Sequence, residues 1–124
     1  MELSKLQKEC HDLAVEKGFW GEDGKEDRNQ SELLMLVVTE LGEACEALRK
    51  GNRQGSDICN EGYACDGCPI PDECWKKDTF EDEIADSVIR LLDLAQAMNI
   101  DLEWQIRNKL DYNKKRPYKH GKEF

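Results

Sequence analysis

NQSELLMLVVTELGEACEALRKG, residues 29–51, decides the fold of this chain. Leu33, Leu34, Val37, Leu41, Ala44 and Leu48 recur at intervals of three and four, the period of one helix face. Asn29-x-x-Glu32 has the form of a capping box, and Gly51 is a residue on which helices stop. The stretch therefore predicts a helix over about 30–50.

Working outward, Leu3, Leu6, Cys10 and Leu13 make a second stripe, so residues 2–17 read as a helix ended by Gly18. GFWGEDGKEDRN, residues 18–29, reads as a loop. On the other side, residues 52–78 break every period and hold four of the six cysteines. Asp78-x-x-Glu81 resembles another capping box, opening a helix over about 79–98 with Ile84, Val88, Leu91, Leu92 and Ala95 inward. Asp101 is the expected N-cap of a last helix over about 101–115, which must end before Pro117. No segment alternates cleanly as a strand. The expectation is an all-α fold: a four-helix bundle in a single domain, 1–124, with a Cys-rich insertion at 52–78 between the second and third helices and a basic tail at 116–124.

Composition narrows the function. Acidic residues number 27 against 18 Lys and Arg, for a net charge of −9 and a pI near 4.7. Such a surface repels nucleic acid, so none is expected as a partner. The longest apolar run, Leu33 to Val38, falls far short of the roughly 20 residues that span a membrane. Met1-Glu2-Leu3-Ser4 opens directly into a charged amphipathic pattern, so a soluble, cytoplasmic chain is expected. In that setting cysteines argue for metal ligation or buried thiols before disulfides. Cys10 and Cys45, within helices, are expected as core thiols.

Two acidic pairs carry the chemistry. Glu40-x-x-Glu43 and Glu83-x-x-Asp86 lie on separate predicted helices, and residues three apart share a face. If the two helices pack antiparallel, four carboxylates converge, and they repel one another unless a cation lies among them. Oxygen-only ligation suits Mg²⁺ or Mn²⁺ and not Zn²⁺. In so acidic a chain such pairs also arise on a solvated face. Here, however, they lie at the edge of apolar stretches, where an unpaired acid is costly.

The run Glu40-Leu41-Gly42-Glu43-Ala44, followed by Glu83-Ile84-Ala85-Asp86, resembles the MazG-like family of all-α nucleoside triphosphate pyrophosphohydrolases. The C-terminal run from Lys109 through Asn113 and Arg116 to Gly121 is also similar to the tails of small MazG-like proteins. The resemblance spans about residues 2–50 and 79–121. It implies a MazG-like bundle in which Glu40, Glu43, Glu83 and Asp86 hold Mg²⁺ (or Mn²⁺), with Glu40 or Glu43 orienting or deprotonating water. The implied reaction converts an NTP or dNTP and water to the monophosphate and pyrophosphate, and the implied assembly is a homodimer or homotetramer. Two departures stand out. Thr39 occupies the place of the family's first glutamate, and the spacer between the acidic pairs is long because it contains the insertion.

Seven of the 18 Lys and Arg residues fall between Arg107 and Lys122. They can be a solvated helix end complementing the macrodipole. The resemblance instead makes Lys109 and Asn113, at i,i+4, contacts to phosphate oxygens, helped by Arg116. Trp20 could stack on a nucleobase or plug the end of the bundle. Trp104 reads as core.

The insertion's Cys59-x5-Cys65-x2-Cys68-x5-Cys74 is nearly symmetric about its Cys-x-x-Cys turn. A structural Zn²⁺ held by four thiolates would order so polar a loop. A disulfide pair, an iron–sulfur cluster or unliganded thiols remain open. Two other functions also remain open: a non-catalytic helical adaptor whose cysteine loop binds a partner, and a phosphoribosyl-ATP pyrophosphohydrolase of similar fold.

Overall fold

The structure is a computed structural model that describes residues 2–54 and 77–124. Cys59, Cys65, Cys68 and Cys74 lie outside the described residues. The described chain is all-α, with no strand, and consists of α1 (Leu3–Glu16), α2 (Gln30–Lys50), α3 (Phe80–Ala97) and α4 (Leu102–Lys114). A tight terminal turn follows at Tyr118–Gly121. No described helix is long and apolar enough to cross a membrane.

Local chemistry sets the helix ends. The Asn29 side chain accepts a hydrogen bond from the Glu32 N–H at 3.1 Å, opening α2. Gly51, at φ +72°, closes it in the left-handed conformation that costs glycine least. Asp101 caps α4 by accepting from the Trp104 N–H at 2.9 Å. At α3 the cap lies one residue later than expected. The Thr79 hydroxyl, not Asp78, accepts from the Asp82 N–H at 3.2 Å, and the Asp82 carboxylate accepts from the Asp78 N–H at 2.8 Å. Asp78 adopts φ +62° at this turn, a conformation Asp tolerates better than most residues.

The chain divides into two compact units. The first comprises Met1–Gly24 and Leu92–Phe124 and so contains α1, the end of α3 and α4. Its buried residues include Gln7, Cys10, Trp20, Leu92, Leu94 and Ala95. Gln7 donates to the Gln96 side chain at 3.1 Å and to the Ile100 carbonyl at 2.8 Å, which satisfies a buried amide across 93 residues of sequence. Gly24 is held close to α1. A Cβ there would come within 2.7 Å of Val15 Cγ1, and φ is +72°. Leu13, expected in the core, is exposed, and the expected core position of Trp104 is likewise corrected to an exposed one. No residue of α4 is buried.

The second unit, Lys25–Leu91, contains α2 and the first three turns of α3. Phe80 N–H donates to the Asn52 carbonyl, Glu43 lies near Glu83, and Glu40 pairs with Arg90. As one helix descends the other ascends, so the pair runs antiparallel. The buried line of α2 is Leu33, Val37, Glu40, Ala44 and Ala47. Leu34, Leu41 and Leu48, expected inward, are exposed together with Val38 and Cys45. The expectation of a buried Cys45 is thus corrected. On α3, Ile84, Val88 and Leu91 are exposed as well, whereas Ala95, next on the same stripe, is buried in the first unit. The helical period was read correctly, but the buried face of α2 is rotated toward its acids.

Candidate metal centre

The site is assembled in the second unit from one turn of α2 and one of α3. Glu40 occupies the middle of the buried line of α2 and is 7% exposed. Glu43, one turn later, is exposed at the edge of that line. Glu83 is 6% exposed in the first turn of α3. Carboxylate oxygens of these three residues lie within 4.8 Å of one another. Asp86, one turn beyond Glu83 and half-buried, stands outside that triad. Three of the four sequence-nominated acids are therefore brought together, and the fourth borders them.

Such crowding must be compensated. Burial pushes the Glu40 carboxyl up, but a hydrogen bond from Arg90, hydrogen bonds shared with Glu43 and Glu83, and the guanidinium charge outweigh it, leaving Glu40 below the ordinary range. Glu43 is raised by its shared hydrogen bond with Glu40 and by repulsion from that carboxylate. Glu83 is pushed up to about 7, first by burial and then by the charges of Glu43, Asp86 and Glu40. Burial and the charges of Asp82 and Glu40 raise Asp86. Glu43, Glu83 and Asp86 are thus shifted toward the neutral form, while Glu40 is shifted away from it. All-oxygen donors at this spacing, strained by mutual repulsion, fit a hard divalent cation. A second acidic group, Asp78, Asp82 and Glu83, also falls within 4.8 Å, but Asp82 there is engaged in capping α3.

Arg90 is the residue that sequence reasoning missed. Its Nε donates to Glu40 Oε1 at 2.6 Å. It lies one turn after Asp86 on the same face of α3, a spacing that could have flagged it. Thr39 is turned to local use, since its hydroxyl donates to the Leu36 carbonyl at 2.6 Å within α2.

The remaining nominated residues belong to the first unit. Trp20 is 7% exposed, and its indole N–H donates to both Asp93 oxygens, at 3.0 and 3.2 Å. Its ring meets His11 edge-on at 5.5 Å, and His11 Nδ1 lies 2.7 Å from Asp93 Oδ1. The ring is therefore engaged with Asp93 and His11 inside its own unit. Lys109 and Arg116 flank the Tyr112 ring at 5.0 and 5.8 Å. Asn113 Oδ1 is buried with no hydrogen-bond partner among the described residues.

No protein-family model, curated protein or solved structure matches this chain.

Proposed function

We propose that the chain is a Mg²⁺-dependent nucleoside triphosphate pyrophosphohydrolase of MazG-like type. The observation that carries this reading is the convergence of Glu40, Glu43 and Glu83 on antiparallel helices, at the positions where the sequence resembles that family. These three residues, with Asp86 at the border, would hold the cation. When bound, a divalent ion supplies charge neutralisation for the triphosphate and lowers the cost of placing a nucleophilic water beside phosphorus.

The chain's own groups divide the remaining work. Glu40, buried and paired with Arg90, is fixed as a ligand. Glu43 is exposed, and Glu40 raises its carboxyl above the ordinary range. It is the better group to orient a water and take its proton as the α–β phosphoanhydride opens. By the resemblance alone, Lys109 and Asn113 on α4 and Arg116 just beyond it would be phosphate contacts; they belong to the first unit.

A homodimer, or a homotetramer built from it, fits the second unit. Leu34, Val38, Leu41 and Leu48 on α2 and Ile84, Val88 and Leu91 on α3 form apolar stripes that the described chain leaves uncovered. Buried against a second copy, stripes of this kind would complete a core too small to stand alone.

Pyrophosphate release from a panel of NTPs and dNTPs with Mg²⁺ tests the activity. Release from at least one nucleotide, abolished by Glu43→Gln, is expected. Silence across the panel would overturn the enzyme reading in favour of a helical adaptor, while turnover of phosphoribosyl-ATP alone would reassign the substrate.

A further inference from the structure

We propose that Arg90 is an exchangeable counter-cation. It holds Glu40 while the cluster is metal-free, yields that carboxylate to a divalent ion, and then turns its guanidinium to the phosphate oxygens of the substrate. The proposal rests on the reading of the cluster as a metal centre.

The ion pair is asymmetric in a way that suits exchange. The Glu40 side chain is 9% exposed, whereas that of Arg90 is 42% exposed, so one end is fixed inside the site and the other reaches solvent. The bond is made through Nε at 2.6 Å, and the two terminal amino groups are not committed to Glu40. That end of the fork is the part that matches two oxygens of a phosphate. Arg90 follows Asp86 and Glu83 at i,i+4 and i,i+7, so it shares their face of α3. A cation fixed beside three crowded carboxylates performs, without metal, the neutralisation that a divalent ion would perform. The two therefore compete electrostatically for Glu40. A triphosphate brings new negative charge to the same place, and the released guanidinium is within one side-chain length of it.

Arg90 is on this account a positioning residue in the metal-free chain and a ligand contact afterward. The test measures Mn²⁺ binding by the intensity of its free-ion electron paramagnetic resonance signal, and then inorganic pyrophosphate binding to the Mn²⁺-loaded protein by calorimetry. Arg90→Gln is expected to bind Mn²⁺ roughly three- to tenfold more tightly and pyrophosphate roughly tenfold more weakly. Arg90→Lys keeps the charge without the fork and should leave Mn²⁺ affinity near that of the unaltered chain while still weakening pyrophosphate. Far-UV circular dichroism checks folding, because removing the guanidinium leaves Glu40 unpaired. Should Arg90→Gln fail to fold, Arg90→Lys and the double variant Glu40→Gln/Arg90→Gln carry the test. In the double variant, compared with Glu40→Gln alone, Mn²⁺ affinity should no longer respond to Arg90. Unchanged or weaker Mn²⁺ binding in Arg90→Gln, or undiminished pyrophosphate binding, overturns the exchange. Absence of Mn²⁺ binding in the unaltered chain, or binding indifferent to Glu43→Gln, instead overturns the metal centre itself.

Discussion

The backbone N–H of Phe80 donates to the carbonyl of Asn52 at 3.0 Å, joining the start of α3 to the residue after the Gly51 cap of α2. Glu81 reinforces the junction by accepting from Arg53 Nε at 2.8 Å and from the Gln54 N–H at 2.9 Å, while the Arg53 guanidinium lies 4.9 Å over the Phe80 ring. Residues 52–54 and 80–81 therefore form a clasp at the base of the cysteine-rich insertion. The antiparallel run of α2 and α3, and with it the carboxylate triad, is braced at that clasp.

The clasp makes a prediction about the insertion. Changing Cys65 and Cys68 together to Ser should release the expected zinc, about one ion per chain by elemental analysis. It should leave helicity and Mn²⁺ binding at the carboxylates intact. Protein prepared under reducing conditions with neither zinc nor iron would remove the metal reading of the cysteines. Glu81→Ala, by contrast, opens the clasp and should cost about 1 kcal/mol, read as a lower denaturant midpoint.

Glu43→Gln removes an anionic donor from an exposed position without creating a cavity. Mg²⁺-dependent pyrophosphate release should fall by at least about a hundredfold, with thermal stability unchanged or slightly raised because repulsion on Glu83 is relieved. Glu46→Gln, one turn away and paired with Arg49, should be mild. Equal losses from the two variants would disconnect the triad from catalysis.

The pH dependence of stability follows from Glu83. Its carboxyl titrates at about 7 in the folded chain against an ordinary value of 4.5. Between those values the folded state retains a proton that the unfolded state has lost. The contribution to stability is therefore full below the ordinary value and is lost as pH rises through about 7. Metal-free protein should melt at a lower temperature at about pH 8 than at about pH 5, and Glu83→Gln should flatten that slope. Added Mg²⁺ or Mn²⁺ should restore the melting temperature on the alkaline side. A melting temperature that rises with pH in the metal-free chain would contradict the crowded, protonated Glu83.

Leu41 is 47% exposed in the middle of the uncovered stripe of α2. Leu41→Asp places a charge there without touching the buried line of Val37, Glu40 and Ala44. If two copies pair through this face, sedimentation should change from dimer or tetramer to monomer, with helicity largely kept. The same change at Leu13, on the exposed side of α1, should leave the assembly intact. An unaltered chain that sediments as a monomer at all accessible concentrations would leave the stripe without its proposed partner.

The sequence by itself determined what is local. Helix ends at Asn29, Gly51 and Asp101 were legible because each depends on a side chain or a backbone conformation within a few residues. The grouping of Glu40 with Glu43 was legible for the same reason, since helical geometry places residues three apart on one face. The cap of α3 was read one residue early because Asp78 and Thr79 are both good caps, and only the turn at Asp78 decides between them. Tertiary structure alone decided the rest. A helical period says which residues share a face but not which edge of that face a neighbour will cover. That is why Glu40 is buried while Leu34, Leu41 and Leu48 are exposed. It is also why Trp20 is bound to Asp93 and His11, and why Arg90 answers Glu40 across 50 residues of sequence. Each of these pairs depends on how separate segments are held together in space, and no local pattern in the chain encodes that arrangement.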